Sequence, residues 1–289
     1  TEMTSVTHHH DAASAPANPM PDSPAPESLA AAARAVLMTG PARAKATISQ
    51  EMAARWRAGG FAEIGEFTLT DRPARPPAPA LVPPMKVPKR KISADPRGRV
   101  ALLHALAHIE LNAIDLAWDL VARFGAAKGS EFCDDWVAVG ADEGRHFLLL
   151  DDRLAELGAG YGDLPAHDGL WQAAADTASD FLARLAVVPM VLEARGLDVT
   201  PATVDRLRAA GDAASADILM VIYHDEIGHV GAGSRWFKRA CAERGLDPVA
   251  TWRDLVARYF GGRLKPPFND DARAAAGFLK AMYAPDDIT

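Results

Sequence analysis

Two glutamates, each followed 33 residues later by a Glu-x-x-His, constrain this chain more than any other feature. Glu110 lies in AHIELNAID, and Glu143 and His146 follow in ADEGRHF. Glu193 lies in VLEARG, and Glu226 and His229 follow in HDEIGHV. Residues three apart on a helix share a face, so each Glu-x-x-His offers a carboxylate and an imidazole to one point. Four carboxylates and two imidazoles from four helices make the ligand set of a dinuclear carboxylate site inside a helical bundle. Buried carboxylates are costly unless paired or metal-bound, and Glu110 and Glu193 stand in otherwise apolar helical stretches. Two hard cations would compensate them. Oxygen-rich ligation with one imidazole per metal suits two iron ions, with manganese as the alternative. Asp142 and Asp225 each precede a Glu-x-x-His and are expected to accept the second N–H of a metal-bound imidazole. His104 and His224 are further candidates for that outer ring. The competing reading is a salt-bridged interior in which Arg145 and Arg195 neutralise the acids, and it leaves His146 and His229 unexplained.

Abundant alanine, with few β-branched alternations or Asn-Gly turns, predicts an all-α chain. The formal net charge of -7 argues against general nucleic-acid binding. Cys133 and Cys241 lack CxxC spacing and read as thiols in a reducing compartment. No apolar run of about 18 residues is evident, so no membrane span is expected. No secretory signal is evident either, and a cytoplasmic location follows as an expectation.

Residues 1–26 read as a disordered leader rich in Ala, Pro and Ser. Residues 27–99 hold two short helices interrupted near Gly40-Pro41, then a basic strap. Between 71 and 99 stand eight prolines and eight Lys/Arg against two Asp, which excludes regular helix. The strap is expected to lie extended and to pack Leu81, Val82, Met85 and Val87 onto the helices. Its segment 86–91 offers a lesser reading as a dock for an anionic partner such as RNA. From 100 to 260, long helices are expected at 100–124 (closed by Gly125), 130–157 (capped by Ser130), 170–195 and 213–243. Thr200-Pro201 and Asp247-Pro248 are read as openings of shorter helices. The tail, 261–289, holds one more helical piece.

With these motifs in hand, the chain resembles the ferritin-like superfamily, and within it a bacterial branch of carboxylate-bridged dimetal proteins. The resemblance rests on LVPPMKVPKR at 81–90, YGDLPAHDGLW at 161–171, ARLAVVPMVLEARGLDVTP at 183–201 and DEIGHV at 225–230. It covers about residues 30–260. It implies a ferritin-like four-helix bundle with additional short helices and a Pro-rich strap. It also implies an Fe or Mn pair on Glu110, Glu143, His146, Glu193, Glu226 and His229. At the level of the bundle and ligand pattern, the chain is similar to di-iron hydroxylases of modified tRNA bases. The expected function is O2-dependent oxidation or hydroxylation of an organic substrate, a small molecule or modified base, with an external electron donor. The alternative is a ferroxidase, peroxide scavenger or iron-handling protein. A monomer or dimer is expected.

Overall fold

The computed structural model describes residues 25–68, 71–261 and 264–284. The protein is all-α, with no strand among the described residues. Its α-helices are α1 (Leu29–Leu37), α2 (Ala42–Arg57), α3 (Pro96–Lys128), α4 (Ser130–Glu156), α5 (Gly169–Asp176), α6 (Phe181–Val187), α7 (Ala194–Ala209), α8 (Ala213–Glu243), α9 (Pro248–Tyr259), α10 (Asp270–Ala275) and α11 (Lys280–Tyr283). A π-helical stretch, Val188–Glu193, joins α6 to α7. All but the last two residues of the expected leader lie outside the described residues.

α3 and α4 pack along each other, as do α7 and α8, and α4 also meets α8. α1 and α2 lie over α3 and α4. Trp118, Phe132, Trp136, Phe147 and Phe237 fill the interior. α3 begins earlier than its apolar pattern suggests, because Asp95 caps it by accepting from Arg97 N at 3.0 Å and Pro96 takes the first helical position. It also runs past Gly125. That glycine is a packing position: a Cβ there would stand 2.9 Å from Cys133 Sγ. Gly129, at φ 86°, ends the helix, so Ser130 is the first residue of α4 and not its cap.

The third long helix differs most from expectation. It is broken at 177–180, where Asp180 starts α6 by accepting from Ala183 N at 3.0 Å. Buried Arg184 closes the break, donating to Ala174 O at 2.6 Å, Thr177 Oγ1 at 3.1 Å and Asp119 Oδ2 at 2.6 Å. The chain then passes through the π stretch at Pro189 and continues to Ala209, so neither Gly196 nor Thr200-Pro201 bounds a helix. Pro201 lacks an N–H, which leaves the carbonyl of Leu197 without its helical partner. Asn269 supplies one, donating from Nδ2 at 3.1 Å. The tail is thereby part of the fold, and buried Arg273 adds a two-pronged pair to Asp198 at 2.8 and 2.7 Å.

The strap is extended except for a single turn at Pro84–Lys86. Leu81 and Met85 are exposed, contrary to the expected apolar packing. Polar anchors hold it instead. Arg75 donates to Asp115 and Asn112 at 2.8 Å each, and Val82 and Ala80 bond the backbone of Ala166. α3 is long and apolar enough by composition to cross a membrane, against the expectation of no such run, but most of it is buried in the protein interior.

Candidate metal centre

Three helices bring acids from both halves of the repeated pattern to one interior point. α3 supplies Glu110, α4 supplies Glu143 and His146, and α8 supplies Glu226 and His229, all buried. Glu193 is the last residue of the π stretch. One added residue in a helical turn rotates everything after it and re-aims the side chain at its end, as π-bulges commonly do at functional sites.

Glu143 lies between the two imidazoles. His146 Nδ1 is 3.3 Å from its Oε2 and 3.1 Å from Glu110 Oε2. His229 Nδ1 is 3.0 Å from Glu143 Oε1 and 3.5 Å from Glu226 Oε1. Ligand atoms of Glu110, Glu143, His146 and Glu226 all fall within 4.8 Å of one another. Glu193 has no hydrogen bond to this group, but its carboxyl is buried close enough to feel the charges of Glu226, Glu143 and His229.

The outer nitrogens of the two imidazoles cross over. His146 Nε2 meets Asp225 Oδ2 at 2.8 Å, and His229 Nε2 meets Asp142 Oδ2 at 3.3 Å. Each aspartate therefore serves the histidine of the other Glu-x-x-His. Arg145 joins both, at 3.1 Å to Asp142 and 2.7 Å to Asp225. A proton held on Nε2 leaves the Nδ1 lone pair facing the glutamates.

The electrostatics are those of a cation site. Burial, reinforced by the Glu143 charge, raises Glu110 well above the ordinary carboxyl range. Burial and then Glu226 raise Glu193 in the same way, and burial and Glu143 raise Glu226. Burial also disfavours charge on Glu143, but the charge of His229 and the hydrogen bond from His146 outweigh it and hold Glu143 low. For His146, bonds to Asp225, Glu110 and Glu143 overcome the effect of burial and raise it. Four atoms of these residues are among the described buried side-chain atoms without a hydrogen-bond partner: Glu143 Oε1, Glu193 Oε2, Glu226 Oε2 and His229 Nδ1. The short contact between His229 Nδ1 and Glu143 Oε1 is poorly directed for a hydrogen bond. Orphaned buried atoms are rare in native interiors, and two of these, Glu143 Oε1 and His229 Nδ1, face each other at 3.0 Å. The donor set fits a metal ion, and the cluster can hold one.

Arg145 and Arg195 do not neutralise the glutamates. Arg145 binds the two aspartates, and Arg195 binds Asp198 and the carbonyls of Lys265 and Pro267. His224 is exposed, its ring against Tyr223, so the expected place beside the ligands is not the one it takes. Two residues before Glu226, it falls on the opposite side of α8. His104 is buried but also stands apart. Its Nε2 accepts from Gly162 N at 3.0 Å and Leu164 N at 3.4 Å, and its ring stacks on Tyr161, so it anchors the 158–168 loop.

Sequence reasoning missed the network behind this loop. His108 Nε2 donates to His167 O at 3.0 Å, because a carbonyl can only accept, and Nδ1 then accepts from Tyr161 O–H at 2.8 Å. Lys45, fully buried, binds Asp115, which also holds Arg75. The acids Asp115 and Asp119 in the apolar run LNAIDLAWDLV were a readable signal. Their partners Lys45 and Arg184, 70 and 65 residues away, were not.

Comparison with known proteins places the chain. A family model described as "Protein of unknown function (DUF455)" matches residues 38–284. The chain belongs to the DUF455 family. An uncharacterized protein of Haemophilus influenzae is 44% identical over 213 residues, covering 72% of this chain and 74% of its own. No solved structure matches. The DUF455 match takes in α2 through α11, and so includes all six expected ligands and the tail beyond 260.

Proposed function

We propose that this DUF455 protein is a ferritin-like carboxylate-bridged dimetal protein, di-iron or iron–manganese, that oxidises or hydroxylates an organic substrate with O2. The observation that carries the reading is the buried cluster of Glu110, Glu143, His146 and Glu226, built on two crossed Glu-x-x-His motifs. A metal pair in such a site supplies O2 reduction and substrate oxidation, with electrons from an external donor. The chain's own residues do the rest. Glu143 spans the two imidazoles, and Glu110, Glu193 and Glu226 complete the oxygen ligands. Asp142 and Asp225 keep the Nε2 protons in place, and Arg145 keeps both aspartates charged.

The test is metal analysis of protein purified without chelator, followed by O2 uptake with a reductant. About two iron or manganese ions per chain and metal-dependent O2 uptake are expected. Metal-free protein with full helical structure, grown in iron- and manganese-replete medium, would refute the reading. The second reading, a ferroxidase or other iron-handling protein without organic substrate, keeps the same ligands. It predicts O2 uptake driven by added Fe(II) alone, and a large hollow assembly on sizing if the iron is stored.

A further inference from the structure

A cavity of about 290 Å3 opens beside Glu193. It lies between α3, the strap and the 158–168 loop, with Ala105, Ile109, Leu170 and Leu192 among its lining and Glu193 on its wall. Its size is at the small end for organic ligands. Two chemical features mark its wall. Glu193 Oε2 is buried and unpartnered. Arg90, which is exposed, also lines the cavity. The strap's other arginines all meet carboxylates: Arg72 with Asp168, Arg75 with Asp115, Arg97 with Asp95 and Arg99 with Asp212. Arg90 has no ion pair among the described residues. Two other polar side chains line it: His167, whose Nδ1 accepts from Gly169 N at 3.2 Å, and His108, which has both ring nitrogens committed to Tyr161 and His167. It offers an incoming molecule only the face of its ring.

We propose that this cavity binds a small organic anion, with its apolar body between α3 and Leu192, its charged head on Arg90 and its far end at Glu193. The strap thus acts as a wall that selects ligands by charge. The backbone bonds between Ala80, Val82 and Ala166 join it to the loop, so both sides of the entrance are one unit. Naming this molecule as the substrate rests on the dimetal reading above. Its binding does not.

The test uses octanoate, octanol and octylamine as probes of one length and different charge, titrated by calorimetry into the full-length metal-loaded protein. Octanoate should bind about tenfold or more tighter than either counterpart, and Arg90→Gln should remove that preference. Ala105→Phe and Leu170→Trp each fill the cavity and should abolish octanoate binding while melting behaviour and metal content stay native. Equal affinity for the three probes, undiminished octanoate preference in Arg90→Gln, or binding that survives in a folded filled variant would overturn the inference. Metal content measured on the same samples separates the two readings. Two metals without anion selectivity sinks this proposal alone, and selective anion binding without metals sinks the dimetal reading alone.

Discussion

Glu143 is the residue on which the two halves of the site depend, since both imidazoles approach it. Glu110 and Glu193 each guard one half, so Glu110→Ala and Glu193→Ala should each lose at least one metal, read by metal analysis at equal helix content. Full occupancy in both would contradict their assignment as ligands. Asp225→Asn should weaken metal binding by about 10–100-fold, because His146 loses the charged acceptor that orients its ring. Away from the ligands, His108 gives a pH signature. Burial first, then the Arg75 charge, pushes it down to about 4 from an ordinary value near 6.5. Between those values the unfolded chain takes up the proton and the folded one does not. Stability is therefore full above about pH 6.5 and falls as pH drops towards 4, by up to about 3 kcal/mol. Urea unfolding from pH 7 to 4.5 should show a shallower loss in His108→Gln than in the natural protein.

At the scale of elements, the π stretch decides where Glu193 points. Pro189 forbids a regular helical bond, and α8 approaches so closely that a Cβ on Gly233 would stand 2.6 Å from the Pro189 ring. Gly233→Ala should cost about 1–3 kcal/mol in denaturant unfolding and should also lower occupancy of the Glu193 half of the site. An effect on stability alone would show that the Pro189 seat does not position Glu193. Gly144, between Glu143 and His146, has a similar duty. A Cβ there would meet the Ala46 carbonyl at 2.7 Å, so α2 presses its backbone against the ligand-bearing turn of α4.

For the whole molecule, the buried Lys45–Asp115–Arg75 group joins α2, the strap and α3. Removing one member of a buried charge group leaves the others uncompensated, and Lys45→Met should cost about 3–5 kcal/mol. Metal binding should stabilise the same fold, since cations replace repulsion among four buried carboxylates. Restoring metal to chelated protein at about 100 times its Kd should add about 2.7 kcal/mol and raise the melting temperature. An unchanged melting temperature would mean that the cluster is satisfied without metal.

Helical periodicity and the paired 33-residue intervals were enough to read an all-α chain and to single out Glu110, Glu143, His146 and Glu226, which form a buried cluster, and the two aspartates beside its imidazoles, because helix spacing is a local property that carries its own geometry. Helix ends were less legible where glycine and proline serve packing: Gly125, Gly196 and Pro201 look like boundaries and lie inside helices. Which aspartate serves which histidine, where His104 goes, and how the tail caps Leu197 were decided only by the tertiary structure. Those contacts join residues 58 to 87 positions apart or across separate helices, and nothing in local spacing encodes the distance between two helices once they pack.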